Sequence, residues 1–104
     1  MRFFVPEGIE LFSENNVKVR IEIGKDYPNI YLTRREAECA YLSLNLVKTK
    51  SIASILGISP RTVEFYLTNA KEKLDCKTRI ELILNLLKTD FVENYKKYSK
   101  AHCL

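Results

Sequence analysis

The chain has 104 residues, 46% hydrophobic and 29% charged, with a net charge of +4; this is the balance of one globular domain and excludes a disordered polymer. No apolar run approaches the ~18–20 residues that span a bilayer, and the start "MRFFVPEGIELF" is broken by Pro6, Glu7, Gly8 and Glu10 too early for a secretion signal. Cys39, Cys76 and Cys103 are odd in number and widely spaced, which fits a reducing cytoplasmic compartment and not a disulfide framework.

Residues 1–32 read as a β-like N-terminal segment, an extension or a remnant linker. In "VKVRIEI" at 17–23, Val17, Val19, Ile21 and Ile23 alternate with polar residues, the pattern of a half-buried strand. "IELF" at 9–12 precedes a turn signal at Asn15-Asn16 and is the expected hairpin partner. "GKDYPN" is a loop, and "IYL" at 30–32 has extended character.

At Thr33 the period becomes helical. "TRRE" is a capping box, and Ala37, Ala40, Tyr41 and Leu44 form an apolar stripe, which predicts a helix over about 33–45. Asn45 is the expected left-handed end. A short helix follows over 49–56 and stops at Gly57, which accepts positive φ without cost. Ser59 and Pro60 then start a helix over 60–74, and Thr78 caps a leucine-rich one over 78–88. Phe91, Tyr95, Tyr98 and His102 recur at helical spacing, so the tail 89–104 either extends that helix to about 100 or forms its own.

The middle segment carries the charge. Residues 33–79 hold nine Lys/Arg against five Asp/Glu, whereas residues 1–32 hold four against five. Two helices joined by a tight glycine turn, with a small residue at Ala53 and Ile52, Leu56, Ile58 and Val63 to fill the wedge, form the helix-turn-helix pattern. A catalytic set is not credible with one histidine in the tail, and neither a glycine-rich phosphate loop nor metal-ligand spacing is present. The reading is a non-enzyme with no cofactor, no metal and no small-molecule ligand.

Three blocks resemble the LuxR-type (GerE-like) helix-turn-helix regulators. They are "LTRRE" at 32–36, "SIASILGISPRTVE" at 51–64 and "AKEKLDCKTRIEL" at 70–82. The match runs without gaps from Tyr31 to about Leu87. The family often has glycine at the place of Leu46, histidine at that of Tyr66 and glutamate at that of Ser51. The resemblance implies a mainly α fold, a four-helix DNA-binding domain over 33–88. It implies a sequence-specific transcriptional regulator with the helix 60–74 in the major groove, dimeric on an inverted repeat.

Within that helix, Val63, Leu67, Ala70 and Leu74 recur as the core stripe, and Arg61, Glu64, Phe65, Thr68 and Lys71 share another face. The resemblance implies base contacts by Glu64, Phe65 and Thr68. It implies phosphate contacts by Lys50, Arg61, Thr62 and Lys71. Glu64 suits the cytosine amino group, Phe65 a thymine methyl, and the cations suit phosphate. Tyr66 is read as a packing residue. The helix over 78–88 is apolar on two sides: Ile80, Ile83, Leu84 and Leu87 on one, Leu82 and Leu86 on the other. One side must seal the core, and Leu82 and Leu86 with Phe91 are assigned to a homodimer interface.

The expected partners are double-stranded DNA and a second copy of the chain, with RNA polymerase a further candidate and no membrane. The expected location is the cytoplasm, on the nucleoid through DNA. Thirty-two leading residues are too few for a receiver or ligand-sensing domain, so a stand-alone regulator, or one that lost its sensor, is expected. The alternative is an interaction module that does not bind DNA but heterodimerises with a larger regulator and modulates it.

Overall fold

The computed structural model describes residues 19–102. The expected hairpin partner at 9–12, its turn at Asn15-Asn16 and the residue Val17 lie outside them. Strand β1 (Arg20–Glu22) pairs antiparallel with β2 (Tyr31–Thr33), Ile21 opposite Leu32. The alternation seen in the sequence puts Val19, Ile21 and Ile23 in the core, with Leu32 beside them. The intervening loop folds back through Tyr27 N–H donating to the Gly24 carbonyl at 3.1 Å and Ile30 N–H to the Tyr27 carbonyl at 3.2 Å.

Helix α1 (Arg34–Leu44) starts at the capping box: Thr33 N–H donates to Glu36 Oε1 at 3.0 Å, and Thr33 Oγ1 accepts from Glu36 N–H. The same Glu36 carboxylate pairs with Lys73, whose ammonium also donates to the Tyr31 carbonyl at 3.2 Å. One acid thus caps α1 and ties it to the end of the third helix. Glu38, also buried, is held by Arg35 at 3.3 Å and Arg34 at 3.9 Å.

The end of α1 corrects one expectation. Asn45 has φ −91°, and it is Leu46 that turns left-handed, at φ 61°. Leu46 N–H donates to the Ser43 carbonyl at 3.0 Å and Val47 N–H to the Leu42 carbonyl at 3.1 Å. This paired closure demands positive φ at the first residue past the cap, whichever residue stands there. Asn45 instead turns its side-chain amide back to the Tyr41 carbonyl at 2.9 Å.

Helix α2 (Thr49–Leu56) ends at Gly57, φ 70°, as expected. Helix α3 (Pro60–Lys73) begins at Ser59, whose side chain accepts from Thr62 N–H at 3.0 Å. Val63, Leu67, Ala70 and Leu74 are buried, so the core stripe of this helix is the one the spacing gives. Helix α4 (Arg79–Leu87) is capped by Thr78, and α5 (Phe91–His102) is a separate helix.

Helix α5 is bound into the core. Tyr95 stacks on Tyr41 with centroids 4.1 Å apart and planes at 16°. Asp90 N–H donates to the Ile23 carbonyl at 3.0 Å and Asn94 Nδ2 to the Glu22 carbonyl at 2.8 Å, which ties the start of α5 to β1. Gly24 passes this junction at φ 140°, where a Cβ would stand 3.2 Å from Asp90 Oδ2.

This packing overturns the assignment of Leu82, Leu86 and Phe91 to an interface. All three are 0% exposed within the chain, so they seal the core and offer no surface to a partner. The opposite side of α4 is open instead: Ile80 is 68% exposed, Leu84 52% and Leu87 58%.

Cys39 is fully buried, and its Sγ–H acidity is shifted accordingly: burial, with the nearby Glu38 carboxylate adding to it, pushes the thiol from 9.0 up to about 12. The folded chain therefore keeps this proton where an unfolded thiol has lost it. Stability contributed by the protonated thiol is complete below pH ~9 and drains as pH rises toward ~12. Two results are expected. Alkylation at pH 8 reaches Cys39 only after denaturation, by peptide mass mapping. The fall of the urea midpoint above pH ~9 is shallower in Cys39→Ala.

Candidate nucleic-acid interface

The sequence builds this face by difference. Burying Val63, Leu67 and Ala70 leaves Arg61, Glu64, Phe65 and Thr68 exposed along α3, with Lys71 partly covered at the far end of the row. At 100° per residue these five fall within about a third of the helix circumference. Phe65 is 60% exposed, an aromatic ring on a surface otherwise polar, and meets Tyr66 edge-on with centroids 5.7 Å apart. Tyr66 itself is half-buried against the core, the packing role its place suggests.

The helix-turn-helix angle brings α2 to the same face. Lys50 is exposed and lines a shallow groove with Ala53, Ser54, Gly57, Ile58 and Pro60, so its stem lies beside the start of α3. Thr62 is partly buried, and its hydroxyl is 2.8 Å from that of Ser59, within the cap of α3. The seven residues expected to meet DNA therefore lie on α3 and the first turn of α2. Arg61, Glu64, Phe65, Thr68 and Lys50 are exposed, while Thr62 and Lys71 are partly covered.

Two residues at this junction were not picked out by sequence reasoning. Thr49 Oγ1 donates to Glu64 Oε1 at 3.1 Å, bridging α2 to α3. Arg79, the first residue of α4, donates to Thr49 Oγ1 at 3.0 Å, to the Val47 carbonyl at 2.7 Å and to Ser43 Oγ at 3.0 Å. A signal existed for Arg79: a cation at a helix N-terminus is opposed by the helix dipole, so a compensating contact elsewhere was to be expected.

Among the described residues no three His, Cys, Asp or Glu side chains are grouped to hold a metal ion, and no helix is long and apolar enough to cross a membrane. Two short helices crossing at a glycine turn, the second with a polar outer face and the first with a lysine beside it, define a helix-turn-helix DNA-binding domain. The model of the "Bacterial regulatory proteins, luxR family" matches residues 31–86. The chain belongs to this family of transcriptional regulators, which are not enzymes.

Relatives agree. The chain is 36% identical over 74 residues to the transcriptional activator protein LuxR of Aliivibrio fischeri, covering 71% of this chain and 30% of that protein. It is 40% identical over 62 residues to the spore germination protein GerE of Bacillus subtilis, covering 60% of this chain and 84% of that protein. It is 39% identical over 64 residues to the transcriptional regulatory protein FixJ of Azorhizobium caulinodans, covering 62% and 29% respectively. A solved structure of the transcription factor GerE superposes with a TM-score of 0.52 at 38% identity, over 55% of this chain and 85% of that one. The chain thus spans less than a third of the LuxR and FixJ proteins it matches. Helix α5 and strand β1 lie outside the residues the family model covers.

Proposed function

We propose that the chain binds a specific double-stranded DNA site as a homodimer and regulates transcription from it, in the cytoplasm, on the nucleoid. The observation that carries this is the exposed row Arg61, Glu64, Phe65 and Thr68 on α3, with Lys50 beside it, in a family of transcriptional regulators. Helix α3 lies in the major groove. Glu64, Phe65 and Thr68 meet base edges, and Lys50, Arg61, Thr62 and Lys71 meet phosphates. Selection of bound duplexes from random sequence tests it. An inverted repeat with half-sites about one helical turn apart is expected. A chain that retains no duplex at ~50 mM salt refutes it.

The dimer face in this reading is the ridge Ile80, Leu84 and Leu87 on α4, three large apolar side chains each more than half exposed. Leu84→Glu should leave the melting temperature near that of the parent, because the side chain contributes little to the core. It should yield monomers in sedimentation velocity. Affinity for the full inverted repeat should fall on the order of a hundredfold, through loss of the second half-site, while affinity for an isolated half-site holds. Dimers that survive Leu84→Glu place the interface elsewhere. The heterodimerising module is the reading to adopt if the chain selects no duplex yet the same ridge captures a full-length family member.

A further inference from the structure

One chain of hydrogen bonds links four helices and ends on Glu64. Ser43 Oγ donates to the Cys39 carbonyl at 2.9 Å and accepts from Arg79 Nη2 at 3.0 Å. The same Arg79 nitrogen donates to the Val47 carbonyl at 2.7 Å, and Nη1 donates to Thr49 Oγ1 at 3.0 Å. Thr49 Oγ1, its lone pair engaged by the cation, gives its own proton to Glu64 Oε1 at 3.1 Å. From Arg79 through Thr49 to Glu64 the donors run in one direction, from a fixed guanidinium to an exposed carboxylate on the outer face of α3.

Each step has a physical consequence. A guanidinium is planar and always charged, so three bonds to α1, the α1–α2 connection and α2 fix its plane. A hydroxyl that accepts from a cation is polarised into a better donor. A free glutamate side chain loses much rotamer freedom when it is fixed, and a carboxylate entering a groove lined by phosphates is repelled unless a donor meets it. Here one such donor, the Thr49 hydroxyl, is in place before any DNA arrives. The cap position before α2 is held by Lys48, which makes no side-chain cap, and the Thr49 hydroxyl, one place later, reaches across to α3.

We propose that Thr49 is a positioning residue for base readout, holding Glu64 as a pre-set acceptor for a cytosine amino group, with Arg79 as its anchor. The proposal rests on α3 being the helix that lies in the groove. It makes Glu64 a determinant of one base pair, and it makes the sharpness of that choice depend on a residue that touches no base.

The test starts from the site selected by the parent chain. Dissociation constants are then measured by fluorescence anisotropy for that duplex and its single-base-pair variants, with the parent, Thr49→Val, Thr49→Ser and Glu64→Gln. Glu64→Gln should relax the choice at one C·G pair. Thr49→Val should relax the same pair by about five- to tenfold, with the salt dependence of the parent and only a modest fall in melting temperature from the Arg79 donor left without its acceptor, and Thr49→Ser should restore both. If Thr49→Val discriminates like the parent at the pair that Glu64→Gln relaxes, the positioning role is overturned and DNA binding stands. If Glu64→Gln relaxes no pair, the readout itself is overturned. If the parent selects no duplex, both this proposal and the DNA-binding reading fall.

Discussion

Tyr95→Ala should destabilise the chain by about 3–5 kcal/mol, the range for removing a large aromatic side chain from a packed core. For a domain of this size that lowers the melting temperature by more than ~12 °C. Tyr95 is fully buried, stacks on Tyr41 at 4.1 Å and meets Phe91 at 6.0 Å, and it belongs to a helix beyond the region the family model matches. The stacked pair adds to simple area burial by about 0.5–1.5 kcal/mol. Its removal also loosens the seat of α5, whose start is tied to β1 through Asp90 and Asn94. Urea unfolding followed by circular dichroism measures the loss. Lys97→Ala, on the outward face of the same helix, should cost under about 1 kcal/mol. A loss below ~1 kcal/mol for Tyr95→Ala as well would make α5 an appendage and contradict its place in the core.

The contrast between Tyr95 and Leu84 shows what the sequence can and cannot disclose. Helix ends were legible where a short-range device sets them: Thr33 with Glu36, Gly57, and Ser59 with Pro60. Each acts within four residues, so a local window contains the whole cause. The core stripe of α3 was legible because, Phe65 and Tyr66 apart, its other faces are polar or charged. On α4 both sides are leucine and isoleucine, and periodicity is silent about which side the rest of the chain covers. That choice was made by α1, α3 and α5, all of which pack on α4, a tertiary fact. Leu46 shows a subtler limit. Asparagine favours the left-handed region, but the closure of α1 places that region one residue later, and the carbonyls it satisfies outweigh a leucine's reluctance. Of the α3 face expected outside, Arg61, Glu64, Phe65 and Thr68 are exposed and Lys71 is partly covered, and the order within it was not legible. The bonds that hold Glu64 join residues 15 and 30 to 36 positions apart, and no spacing rule connects Ser43, Thr49 and Arg79.

The combined substitution Lys50→Ala, Arg61→Ala and Lys71→Ala should weaken binding to an isolated half-site by roughly a hundredfold near ~0.1 M salt, at about 1 kcal/mol for each cation removed from a phosphate, and binding of the dimer to the full inverted repeat by more. The more telling quantity is the slope of log affinity against log salt. Each phosphate contact releases about 0.9 counterion, so the slope should become shallower by roughly 2.7 on a half-site and by about twice that on the full inverted repeat. Folding should be little affected, since Lys50 and Arg61 are exposed and Lys71 is partly so. Alanine is also a good helix former at all three places. Base preference should survive, because charges that meet phosphate set affinity and not sequence. Thr68→Ala should do the reverse, altering preference among sites while the slope holds. The two signatures separate cations that steer the chain to DNA from side chains that read it. In the proposed function Glu64 stands with the readers and against the cations: it adds repulsion toward phosphate, which Arg61, Lys50 and Lys71 would offset. A triple variant with an unchanged slope would therefore remove the phosphate roles of all three residues, and with them the reason to place α3 in the groove.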